Sequence, residues 1–116
     1  MKYMLLIYGD EQAAEHASPE QMKQVGDAYE EFTQSIINTG NFLDGDPFMP
    51  TSTAKSVRVT DGGTETAEGP SVTTNPQLIA YYKVEADSPE HAVELAARIP
   101  GARWGSVEVR PVVVFD

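Results

Sequence analysis

One short tripeptide occurs twice in the chain, and it constrains the fold more than any other feature. Ser18-Pro19-Glu20 and Ser88-Pro89-Glu90 each open a run with helical periodicity. In both copies the serine oxygen can accept a hydrogen bond from a free N–H of the first turn. Proline fits the first helical position, where its missing N–H costs nothing. Gln21 adds the reciprocal partner of a capping box to the first copy. Met22, Val25, Tyr29, Phe32 and Ile36 then recur at steps of three and four, which predicts one stripe facing a core. Gly40 is placed to end that helix. Ala92, Val93, Ala96 and Ile99 give the second helix its stripe, and Pro100-Gly101 stops it.

Strand-like runs bracket each helix. Residues 2–8 form a short apolar run bounded by Gly9-Asp10. Phe42-Leu43 and Phe48-Met49 flank Asp44-Gly45-Asp46-Pro47, a composition that predicts a turn. Ser56 to Thr60 alternates with period two, which points Val57 and Val59 inward and Arg58 outward, before Asp61-Gly62-Gly63 turns the chain. Thr64 to Asn75 is polar and reads as a hairpin return plus a loop. Leu78 to Glu85 is the next strand, and Ser106 to Phe115, interrupted by Pro111, is the last. The order β-α-β-β-α-β predicts an α+β fold over residues 1–116 as one domain. Its form is a ferredoxin-like sandwich, an antiparallel sheet with two helices on one face.

Composition narrows the classes of partner. The chain has 116 residues, 41% of them hydrophobic and 22% charged, as in an ordinary globular domain. It has no cysteine, which excludes disulfides, thiolate zinc sites and a cysteine nucleophile. The formal net charge is −10 and the eight Lys and Arg are scattered, so neither nucleic acid nor an anionic membrane surface is an expected partner. The opening Met1 to Tyr8 is too short an apolar run for a secretory signal. No stretch approaches the ~20 apolar residues of a membrane span. A cytoplasmic protein is expected.

Three segments carry a resemblance. They are Met1 to Glu11, Gln77-Leu78 through Tyr81-Tyr82 to Glu85-Ala86, and the closing run Arg98-Ile99-Pro100-Gly101-Ala102-Arg103-Trp104-Gly105-Ser106-Val107-Glu108-Val109-Arg110-Pro111. Together they resemble the YCII-related, or DGPF-domain, family across nearly the whole chain. The resemblance implies a ferredoxin-like fold that dimerises face to face as a dimeric α/β-barrel. It implies no settled activity, and some members are encoded beside, or fused to, alternative sigma factors. The chain departs from the pattern in one loop. The usual Asp-Gly-Pro-Phe followed by Ala-Glu-Thr-Lys-Glu is replaced by Glu68-Gly69-Pro70-Ser71 and Val72-Thr73-Thr74-Asn75-Pro76. The glycine pair before the tyrosines is Ile79-Ala80. A histidine–aspartate pair on the first helix of more distant members falls, without gaps, on Tyr29 and Asn38.

Strand alternation places Tyr81 and Lys83 opposite Tyr82 and Val84, and Glu108 and Arg110 opposite Val107 and Val109. With Arg58, these residues are expected to share the helix-free sheet face. If a second subunit covers that face, they line a partly desolvated interior able to hold an anionic metabolite, with Glu108 as partner or base. Interface or surface ion pairing is the competing expectation. Asp10, Glu11 and His16 follow the first strand and read as solvated loop residues, with Asp10 a further candidate ligand contact. His91 is expected exposed and Trp104 is expected to anchor a loop or the dimer. Asp44-Gly45-Asp46 lacks the rest of a calcium loop, and neither histidine has a partner at metal spacing, so no metal or cofactor is expected. The uncovered face and the apolar tail Val112 to Phe115 predict a homodimer. The expected function is binding, with or without turnover, of a small metabolite in a pocket on the sheet face. The alternatives are a regulatory protein-interaction module and a degenerate family member that keeps the fold and has lost the chemistry.

Overall fold

A computed structural model describes residues 1–115. Six strands and three α-helices follow in the order β1 (Lys2–Gly9), α1 (Glu11–Glu15), α2 (Pro19–Asn38), β2 (Phe42–Pro47), β3 (Lys55–Thr60), β4 (Gly63–Glu68), β5 (Gln77–Glu85), α3 (Pro89–Ala97) and β6 (Ser106–Pro111). Single 3-10 turns at Thr51–Thr53 and Pro100–Arg103 complete the chain. β2, β5, β1 and β6 form an antiparallel sheet in that spatial order. Two strand–helix–strand halves, β1-α2-β2 and β5-α3-β6, therefore interleave as the ferredoxin-like arrangement requires.

Both serine caps form. Ser18 Oγ accepts from the Gln21 N–H at 3.1 Å while Gln21 Oε1 accepts from the Ser18 N–H at 2.9 Å. Ser88 Oγ accepts from the His91 N–H at 3.1 Å. Gly40 follows α2 at φ +77°, the left-handed conformation that glycine adopts without a steric penalty. Tyr3, Leu5 and Ile7 of β1 and Tyr82 and Val84 of β5 are buried under Phe32 and Ile36 of α2 and Ala92, Leu95 and Ala96 of α3. Each large side chain in that set contributes about 1.5–3 kcal/mol by leaving water. This single layer of contacts fixes both helices on one sheet face.

Four expectations need correction. Asp44-Gly45-Asp46-Pro47 is not a turn but most of the edge strand β2. An edge strand tolerates Asp and Pro because one row of its backbone groups needs no ladder partner. Gly45 is required there, since a Cβ would sit 2.8 Å from Tyr82 Cδ1 and 3.0 Å from the Tyr81 carbonyl oxygen. Second, Ser56 to Thr60 is no part of the main sheet. It pairs with β4 in a separate hairpin, leaving Val57 and Val59 64% and 75% exposed. Third, the helical stripes are shorter than their periodicity. Met22, Val25 and Val93 are exposed, Val93 turned away from the sheet beside buried Ala92 and Leu95, and the last strand stops at Pro111. Fourth, His91 is half-buried, its Nδ1 accepting from the Asp87 N–H at 3.1 Å.

Candidate functional site

The helix-free face of the sheet carries two cross-strand rows. One runs Asp44, Lys83, Met4, Arg110 and the other Asp46, Tyr81, Leu6, Glu108. Tyr81, Lys83, Glu108 and Arg110 are thus brought to one face. Arg58 is not; it lies on the detached hairpin opposite Glu65. Nor is Asp10, whose Oδ1 accepts from the Gln12 N–H at 2.9 Å as the cap of α1. The polar groups on the face largely satisfy one another. Arg110 bonds Glu108 at 3.0 Å, and the Tyr81 hydroxyl donates to Asp44 at 2.8 Å, which raises the Tyr81 pKa. Phe48 stacks on Tyr81 with ring centroids 5.8 Å apart. Exposed pairs of this kind contribute little energy. Four residues along one flat face do not make a concavity.

Concavity appears on the other side. A cleft of about 440 Å³ opens between α2 and the β2–β5 edge of the sheet. Gly26, Tyr29, Glu30 and Thr33 line it from α2. Their spacing of three, four and seven puts them on one stripe of the helix. This stripe is rotated from the apolar one, and Tyr29 belongs to both. Phe42, Gly45, Asp46, Pro47, Ile79, Ala80, Tyr81 and Tyr82 line the sheet side. The rings of Phe42 and Tyr82 meet at 76° with centroids 6.3 Å apart, forming two walls of a corner. Ile79 reaches the helix side because the β1–β5 register shifts between Ile7 and Tyr8.

The hydroxyls in the cleft are internally engaged. Tyr82 and Thr33 share a 2.6 Å hydrogen bond at the floor. Burial raises the Tyr82 pKa, and that hydrogen bond partly opposes the rise. Burial also raises the Tyr29 phenol, against a backbone hydrogen bond at Gly101. Both phenols are therefore neutral at physiological pH. Glu30 is the carboxylate that α2 sets at the rim. No Lys or Arg lines the cleft. Asn38, the second position of the helix pair suggested by the resemblance, is instead exposed at the end of α2 and bonded to Gln34 at 3.0 Å.

A second hollow of about 650 Å³ lies where the segment from Pro47 to Ala54 faces Pro70 to Leu78, so the substituted family loop forms one of its walls. Its lining carries no charged side chain. Glu11 braces this region, its carboxylate accepting from the Thr51 N–H at 2.8 Å and from the Thr51 hydroxyl. Loops build most of this hollow, whereas a helix and two strands build the cleft, and regular elements hold side chains more precisely. Trp104 is 69% exposed in the single chain, so it is no buried anchor of its loop. Among the described residues, no three His, Asp or Glu side chains converge as a metal site would need. No helix is long and apolar enough to cross a membrane.

The cleft had a weak sequence signal that the apolar periodicity hid. Gly26 stands in the middle of a 20-residue helix, where glycine is about 1 kcal/mol worse than alanine. A Cβ there would meet no atom within 4 Å. Packing within the chain therefore gives no reason for the glycine, which lies on the lining of the cleft.

The chain is 27% identical over 117 residues to a protein of Rhizobium meliloti (strain 1021) named only as uncharacterized protein R00369, an alignment spanning 99% of this chain and 94% of that protein. The family described as YCII-related domain matches residues 1–116, and the chain belongs to that family.

Proposed function

We propose that the protein binds a small, largely apolar molecule in the cleft between α2 and the β2–β5 edge. Gly26 carries this reading. A mid-helix glycine with empty space where its side chain would stand leaves the mouth of an aromatic cleft open, at a cost to the helix. The volume lies within the ~300–1,000 Å³ typical of small-molecule sites, and apolar walls with a few hydroxyls match their usual lining. Nothing in the lining favours the anion expected from the sheet-face cations. The test is a ligand-observed NMR screen of aromatic fragments against the wild type and Gly26→Leu. Fragments that bind the wild type and are lost in a folded Gly26→Leu protein support the cleft. Fragments that bind both proteins equally refute it.

A homodimer through the helix-free face is the second part of the reading. Met4, Leu6 and Tyr8 project from that face and are only half-buried in a single chain, and Val57 and Val59 extend the uncovered apolar surface. Those hairpin valines also favour the second reading, a protein-interaction module. A pull-down that loses its captured protein on Val57→Ser/Val59→Ser substitution, with the dimer mass unchanged, would favour that alternative.

A further inference from the structure

The cleft has a charge asymmetry as well as a shape, and the two together specify a ligand. Helical side chains lean toward the N-terminus, over the turn that precedes them. Glu30 therefore leans over position 26, four residues earlier, where glycine leaves no side chain in the way. The same absence that opens the mouth gives the Glu30 carboxylate room to reach across it. Glu30 takes part in no salt bridge or hydrogen bond among the described residues. The nearby Lys23 ammonium is engaged by Asp27 at 2.8 Å. Below the rim, the phenols of Tyr29 and Tyr82 stay neutral and the Phe42–Tyr82 corner is apolar, with no Lys or Arg in the lining to oppose an ammonium at the mouth. The chain as a whole carries −10 and repels anions from the entrance.

We infer that the cleft selects an aromatic or branched alkyl amine, its apolar body in the Phe42–Tyr82 corner and its ammonium on Glu30. This inference rests on the cleft reading above and adds the charge of the ligand to it. Asp46 also borders the cleft, from the β2 edge, but its register partner Tyr81 aligns it with the opposite sheet face, so Glu30 is the carboxylate set over the mouth. Glu30 is exposed and carries no ion pair among the described residues, so an ammonium can reach it and form a charge-assisted hydrogen bond, stronger than the one an alcohol would make there.

Three probes of nearly one shape separate charge from fit: benzylamine, benzyl alcohol and benzoate. Their dissociation constants are measured by titration NMR at low salt on the wild type, Glu30→Gln, Glu30→Lys and Gly26→Leu. The expected result is at least tenfold tighter binding of the amine than of the alcohol, and weaker binding still for benzoate. Glu30→Gln removes the preference for the amine but keeps the alcohol. Glu30→Lys reverses the order in favour of benzoate. Gly26→Leu abolishes binding of all three. If the wild type binds amine and alcohol equally and Gly26→Leu loses both, the cleft stands and the ammonium inference falls. An amine preference that survives in Glu30→Gln also overturns the inference. If none of the probes binds, the inference and the cleft reading fail together.

Discussion

Two glycines show how differently one residue type can act in a fold. Gly105 follows Trp104 in the closing motif, and a Cβ there would collide with the Tyr8 carbonyl oxygen. A backbone atom in a central strand cannot move aside, so Gly105→Ala is expected to destabilise the protein by roughly 3 kcal/mol. Gly26→Ala is expected to do the reverse, adding about 0.5–1 kcal/mol, because the helix gains a better former and nothing is displaced. Urea unfolding of both variants checks the opposite signs. A stabilising substitution that also narrows the cleft would show that stability is given up there for function. Gly105 was legible from the sequence as part of a family motif. Gly26 was not, because counting apolar residues along α2 selects Met22, Val25, Phe32 and Ile36 and passes over the stripe beside them. The two buried phenols add a pH dependence. Burial holds their folded pKa values above the unfolded value of about 10. Their contribution is intact below pH ~10 and is lost as pH rises from there through the folded values. Tyr82→Phe should cost about 1 kcal/mol at neutral pH through the lost Thr33 hydrogen bond. It should also flatten the alkaline fall in stability, measured as the urea midpoint between pH 8 and 11.

At the scale of elements, local signals succeeded where one segment decides the outcome and failed where neighbours decide it. The caps of α2 and α3 are local, and both were readable from Ser-Pro-Glu alone. The edge strand β2 was not, since Asp-Gly-Asp-Pro has the chemistry of a turn and pairs with β5 only because β5 offers it a ladder. The same tertiary effect hid the cleft. Alternation correctly put Tyr81, Lys83, Glu108 and Arg110 on one face, but only the packing of α2 against β2 and β5 creates a cleft. The β3–β4 hairpin was assigned inward-facing valines because a period-two pattern cannot tell a core sheet from a free arm. Its links to the rest of the chain lie near its base, where Ser56 Oγ donates to the Gly69 carbonyl and Ser71 donates to Ser56. A two-stranded ribbon without packing is marginal in water. Native-state hydrogen exchange should therefore find the β3 and β4 amides opening with far smaller free energies than those of β1 and β5, which approach global stability. Equal protection in a sample held monomeric by dilution would mean that the hairpin is packed after all.

The whole molecule is a thin plate of 49 × 48 × 18 Å. Its radius of gyration is 16.2 Å, against about 13 Å for a compact domain of this length. Two layers and a projecting arm account for the difference, and they leave one sheet face and the valines of the hairpin without cover. The proposed dimer would cover that face, but it must bring together two chains that each carry −10. Their repulsion is long-ranged at low salt, where the screening length is ~30 Å at 10 mM, and weak at 150 mM, where it is ~8 Å. The apolar contacts of Met4, Leu6 and Tyr8 are not screened. Salt should therefore tighten this dimer, the opposite of what an interface held by ion pairs would show. Sedimentation equilibrium at 10, 50 and 300 mM NaCl is expected to give a dissociation constant that falls as salt rises. Leu6→Asp places a charge beside Tyr81 and Glu108 on the face and should leave a folded monomer at every salt concentration. A wild type of single-chain mass at 100 µM in 300 mM NaCl would refute the dimer. A dimer that weakens with salt would move the interface to the charged row of Asp44, Lys83 and Arg110.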